Sequence, residues 1–215
     1  MANVTSLWTR LDALEQENRF SGNPYPRGLA RFPFRLSGQG FFPGGDGLWR
    51  ENVGEPSDGN LPVGGVAFVG SDFGSLASYH KLLKSGYENV PTWRHLKKRI
   101  LDAGVPTGQV FCTNAYLGLR TSSNALEANP AISSDDFGSF CAEFLSFQIE
   151  ALQPKVLVLM GPKPQMFFQK FEDTLLSSRK QIIVLCTTHP YGDFNLARPR
   201  RDSLVAELRQ AWESA

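Results

Sequence analysis

"VGGVAFVGSDFGS", residues 63–75, is the stretch on which the fold turns. Its apolar part neither alternates nor carries a helical stripe, so 63–70 reads as a short strand covered on both faces. The run then breaks into Ser71-Asp72-Phe73-Gly74, and a helical pattern follows over 75–85. A buried strand, a polar turn and a helix make the opening of a β-α unit.

Working outward, the same grammar repeats. "QVFCTNA" (109–115), "KVLVLMG" (155–161) and "QIIVLCTTH" (181–189) are three further apolar runs without alternation. Between them lie helical patterns: 92–103, with Thr92 as cap and Gly104 as stop; 134–152, opening on Ser-Ser-Asp-Asp; one through "PQMFFQKF"; and 202–213. Parallel strands joined by right-handed helical crossovers give an α/β domain of three layers, α/β/α, around a four-stranded parallel central sheet.

Upstream, Val4, Leu7, Trp8, Leu11 and Leu14 fall at helical spacing within 4–18, with Thr5 or Ser6 available as a cap. Residues 21–62 are rich in glycine and proline with scattered aromatics, too long for an ordinary connection, and read as a functional loop system, an arm, or both. At 215 residues the whole chain, 1–215, is expected to form one domain.

A hydrophobic fraction of 41%, a charged fraction of 20% and a net charge of +1 are those of an ordinary globular protein, and give no global pull toward a polyanion. The three cysteines, Cys112, Cys141 and Cys186, have no Cys-x-x-Cys spacing. Cys112 and Cys186 sit in apolar runs and are expected to be buried free thiols in a reducing compartment. This inventory builds neither a zinc site nor a four-cysteine cluster, so no metal and no cofactor is expected. The first twenty residues lack the pattern of a secretory signal, and no apolar run approaches the roughly 20 residues that span a bilayer. The expectation is a cytoplasmic monomer with no membrane contact.

In an open parallel sheet, ligands bind beyond the carboxyl ends of the strands. The residues delivered there are Ser71-Asp72-Phe73-Gly74, Asn114-Ala115-Tyr116, Gly161-Pro162-Lys163-Pro164 and His189-Pro190-Tyr191. An acid, an amide, a glycine turn and an imidazole converge on one edge, which is where an active site is looked for first. Each residue also has a structural role open to it. Asp72 can cap the following helix, Asn114 can satisfy a loop backbone, His189 can be a satisfied, partly buried histidine, and Gly161 can serve the turn alone.

In order and spacing, "VAFVGSDFGS", "VFCTNAYLGLR" and "CTTHPYGDF" resemble the motifs of the uracil-DNA glycosylase superfamily over about residues 63–210. "PTWRHLKKRILDAGV" is similar to the helix between the first two motifs in glycosylase-like bacterial members. The resemblance implies base excision from single- or double-stranded DNA. It makes Asp72 the acid that positions or polarises water at the sugar, and His189 the imidazole that hydrogen-bonds the leaving base. Asn114 becomes the amide that reads the pyrimidine edge, and Gly70 and Ser71 the backbone turn around the base. The chemistry suits these types, because cleavage develops an oxocarbenium-like sugar and a base anion, and an amide offers both a donor and an acceptor.

There are departures from the pattern. Phe73 replaces a proline, and Gly74 stands where the most uracil-selective members carry a tyrosine that blocks a thymine methyl group, which implies an open pocket floor. The stacking aromatic is open between Phe73, Tyr79 and Trp93. The cysteine count excludes the iron–sulfur subfamilies.

In "HPYGDFNLARPRR", Phe194 or Leu196 fits the apolar wedge that such a loop presses into the base stack. Arg198, Arg200 and Arg201, together with Lys163, fit phosphate contacts. The same arginines also suit a solvated helix start. Arg27, Arg31 and Arg35, interleaved with Tyr25, Phe32 and Phe34, read either as a nucleic-acid arm or as a loop pinned to the core by its aromatics. Two other functions remain open on the sequence: a nucleic-acid-binding member of this fold without catalysis, and a hydrolase of small nucleosides or nucleotides.

Overall fold

A computed structural model describes residues 4–17, 24–31, 61–85, 91–122, 134–176, 181–188 and 199–215. Its centre is a four-stranded parallel sheet built from β2 (Val66–Gly70), β3 (Val110–Asn114), β5 (Val156–Met160) and β6 (Ile183–Thr187), in the order β3-β2-β5-β6. Register pairs Val66 with both Val110 and Val156, and Val156 with Ile183, so the strands end nearly level. This is the α/β/α sheet that the four apolar runs lead one to expect. Every residue of β2, β3 and β5 is buried, which explains why those runs do not alternate.

Strand alternation divides the core in two. Ala67, Val69, Phe111, Leu157 and Leu159 face one layer, formed by α1 (Val4–Glu15), α4 (Asp135–Leu152) and α5 (Pro162–Leu175), with Leu76 and Tyr79 of α2 (Leu76–Ser85) packed into it. Val66, Phe68, Val110, Cys112, Val156 and Val158 face the other, covered by α3 (Pro91–Asp102) and α6 (Pro199–Ser214). Phe140 and Phe144 of α4 are fully enclosed, and burial of each such side chain stabilises the fold by about 1.5–3 kcal/mol.

Local signals set the helix ends. Ser134 caps α4 by accepting the Phe137 N–H, and Gly104, at φ 76°, turns the chain out of α3. That helix starts at Pro91, one residue before the expected cap Thr92, because proline lacks the N–H that a first turn leaves unpaired anyway.

Two expectations change. Cys186 is exposed, since β6 is an edge strand that is only partly covered; Cys112 and Cys141 are the buried thiols. Burial pushes the Cys112 thiol up to about 12. The glycine-rich region also contributes structure: β1 (Leu29–Ala30) pairs antiparallel with β4 (Leu119–Arg120). Tyr25 packs against Phe137 and Phe140, and its hydroxyl donates to Glu15 at 2.7 Å. Arg31 binds Asp12 and Glu15 on α1. For these residues the anchoring role holds; Arg35, Phe32 and Phe34 lie outside the described residues. Among the described residues no helix is long and apolar enough to cross a membrane.

Candidate active site

Gly70 ends β2 directly opposite Asn114, the last residue of β3. The two chains do not separate there. Ala115 N–H donates to Gly70 O at 2.8 Å, Tyr116 N–H to Ser71 O at 3.0 Å and Arg120 N–H to Gly74 O at 2.9 Å, with a further bridge between Ser75 and Arg120. The segment that carries Asp72 is thus laced to the segment that carries Asn114 for five residues past the sheet.

Asp72 does not cap the following helix. Ser75 does, accepting the Ser78 N–H at 3.1 Å. The Asp72 carboxylate instead closes a turn onto its own loop: Oδ1 accepts the Gly74 N–H at 2.8 Å, and Ser71 Oγ lies 3.3 Å from Oδ2. Gly74 sits at φ 80°, the left-handed region that this turn requires and that glycine adopts freely. The result is a half-buried carboxylate with a fixed orientation at the strand end.

Asn114 is the more telling residue. It is only 1% exposed, yet neither its amide nitrogen nor its amide oxygen has a hydrogen-bond partner among the described residues. A buried amide with both ends unsatisfied costs the fold free energy, so the bland role of fastening a loop does not describe it. Thr113 beside it is 1% exposed with its hydroxyl likewise unpaired.

The turn after β5 does a different task. Gly161, at φ 98°, donates its N–H to Thr187 O at 2.7 Å, and Gln165 Nε2 donates to the same carbonyl at 3.0 Å. Two donors from the start of α5 therefore hold the last residue of β6, two positions before His189. Lys163 is exposed on the first turn of α5.

Of the expected site residues, the structure brings Gly70, Ser71, Asp72, Phe73, Gly74 and Asn114 together. His189, Phe194, Leu196 and Arg198 lie outside the described residues; Arg200 and Arg201 fall in the first turn of α6, with their side chains outside them. The aromatics divide by layer. Phe73 and Tyr79 are buried in the layer of α1, α4 and α5, whereas Trp93 is buried in the layer of α3 and α6 beside Leu96 and Ile100. All three are core side chains in this state of the protein, so none stands free as a stacking platform.

One residue escapes a reading by motif. Arg120, at the end of β4, brings its Nε to 3.9 Å from Asp72 Oδ1. Nothing in the sequence marks it, because the contact depends on how the 70–75 and 114–120 segments are laced together. A cavity of about 480 Å³ lies elsewhere, against α1, lined by Asp12, Glu15, Tyr25 and Arg31 and by none of the residues at the strand ends.

Against known proteins, the family model described as the Uracil DNA glycosylase superfamily matches residues 56–213. No curated protein matches the chain. The matched span takes in all four strands of the central sheet and the whole edge on which Asp72 and Asn114 sit.

Proposed function

The chain belongs to the Uracil DNA glycosylase superfamily, and from that premise we propose that it hydrolyses the N-glycosidic bond of uracil, or of a related deaminated or damaged base, in DNA. The observation that carries this reading is the buried, unpaired amide of Asn114 beside the oriented carboxylate of Asp72. An amide group offers one acceptor and one donor side by side, the complement of a pyrimidine edge with a ring N–H and a carbonyl. A base inside a duplex cannot reach such a recess, so the substrate is an extruded nucleotide or a single strand.

The steps follow from charge. As the bond from C1′ to the base nitrogen breaks, its electron pair leaves with the base and the sugar becomes cationic. Asp72 faces that cation and orients the water whose oxygen bonds to C1′. The proton released by the water is finally carried by the departing base or by solvent. His189 hydrogen-bonds the base oxygen on which negative charge grows. Groups fixed in place before the reaction lower its barrier because they need no reorganisation.

The range of bases accepted is broad. A Cβ built at Gly74 would meet nothing within 4 Å, which supports room for a 5-substituent on that side. The assay is release of base from single- and double-stranded oligonucleotides carrying uracil or a 5-substituted uracil, by wild type, Asp72→Asn and His189→Ala. Each variant is expected to lose about 100- to 1,000-fold in single-turnover rate. Equal release by all three proteins removes the site assignment.

A further inference from the structure

Arg120 is fastened more thoroughly than a loop arginine needs to be. Its N–H bonds Gly74 O, it bridges to Ser75, and it pairs with Leu29 across the β1–β4 ladder. Three segments meet at this one residue. Its side chain is 21% exposed and leads to Asp72, itself 17% exposed. Arg120 Nε is a buried donor without a hydrogen bond among the described residues, 3.9 Å from Asp72 Oδ1.

We propose that Arg120 is the positioning residue for Asp72, holding its carboxylate turned toward the sugar. The proposal rests on the reading of Asp72 given above. A carboxylate oxygen has two lone-pair directions, and Oδ1 accepts the Gly74 N–H along one of them. Arg120 Nε lies 3.9 Å from the same oxygen. A gap of 3.9 Å is too long for a hydrogen bond, but a small rotation closes it, and hydrogen bonds at active sites commonly tighten only when substrate is bound. Closure also satisfies the orphaned Nε–H. Oδ1 is then held by both the Gly74 N–H and Arg120, while Ser71 Oγ lies 3.3 Å from Oδ2, so both oxygens of the carboxylate are oriented from the protein side.

Other ion pairs of the chain show the contrast. Arg31 reaches its acids through hydrogen bonds that tie an arm to α1, and Lys98 pairs with Asp102 on an exposed helix face. Of these pairs, Arg120–Asp72 is the one at the strand ends, and its Arg120 Nε has no hydrogen bond among the described residues.

The test is a double-mutant cycle on uracil-containing DNA under single-turnover conditions, with DNA affinity measured separately. Arg120→Gln is expected to lower the rate by up to about 100-fold with DNA affinity unchanged, as misplacement of a reacting group does. Arg120→Lys is expected to recover part of the loss. In an Asp72→Asn background, Arg120→Gln is expected to cost nothing further. An equal loss in both backgrounds, or weakened DNA binding with the rate intact, overturns the proposal; the second outcome makes Arg120 a phosphate ligand instead. Crystal structures of wild type and Arg120→Gln decide the matter independently of activity. If wild type releases no base, the substrate reading falls. The positioning role then stands if the Asp72 carboxylate leaves the Gly74 N–H in the variant, and falls if it stays.

Discussion

The two ends of the central sheet are built to opposite rules. At the amino end, polar backbone groups are paired and Gly65 is tightly enclosed. Gly65 accepts the Lys155 N–H, Lys155 accepts the Ile183 N–H, and a methyl group added at Gly65 would lie 2.1 Å from the Gln109 carbonyl oxygen. At the carboxyl end, the Asn114 amide and the Thr113 hydroxyl are buried without partners among the described residues. Both ends are made by the same strands, so strand chemistry does not explain the difference. Unpaired buried groups cost about 1–3 kcal/mol each. Folding alone has no use for such a cost, whereas a ligand that supplies the missing partners does.

The contrast breaks most visibly at Asn114. Asn114→Leu keeps the shape and removes the orphaned polar atoms, so the melting temperature is expected to hold or rise, while base release falls by about 100-fold or more. Calorimetry and a single-turnover assay on the same preparation check both halves. A large loss of stability would show that the amide serves the fold. The amino end gives the converse and smaller effect. Gly65→Ala forces the carbonyl of Gln109 to move and is expected to destabilise by about 1–3 kcal/mol, with the rate per folded molecule unchanged. Each kcal/mol lowers the melting temperature by about 2–4 °C in a chain of this size.

How far the sequence discloses this architecture follows from the range of the interactions involved. The four strands are evident as apolar runs because β2, β3 and β5 are buried on both faces, and a residue pattern records burial directly. The edge strand misleads for the same reason. Ile183–Thr187 is as apolar as the others, but it lies at the margin of the sheet, and Cys186 is exposed there. The β1–β4 ladder escapes notice because two residues on each side leave no periodicity to read.

At the site, Asn114 stands out because it ends a strand, and Asp72 because it lies in the turn just past one. Whether they cap, fasten or bind is not written in their neighbourhood. Ser75 takes the capping role from Asp72, and the Asn114 amide is left without a partner among the described residues. Arg120 and Gln165 belong to a third class. Each acts through an atom 22 or more positions away, Gln165 on Thr187 O and Arg120 on Asp72 Oδ1, so neither announces itself in a local motif.

The most direct test of the central claim, that the carboxyl end holds its amide ready for a flat heterocycle, is an NMR titration of the Asn114 side-chain NH2 with free uracil. A saturable shift of that signal is expected, lost in Asn114→Leu along with the binding isotherm. An NH2 signal that stays in place while uracil binds, with the same affinity in the variant, would contradict it.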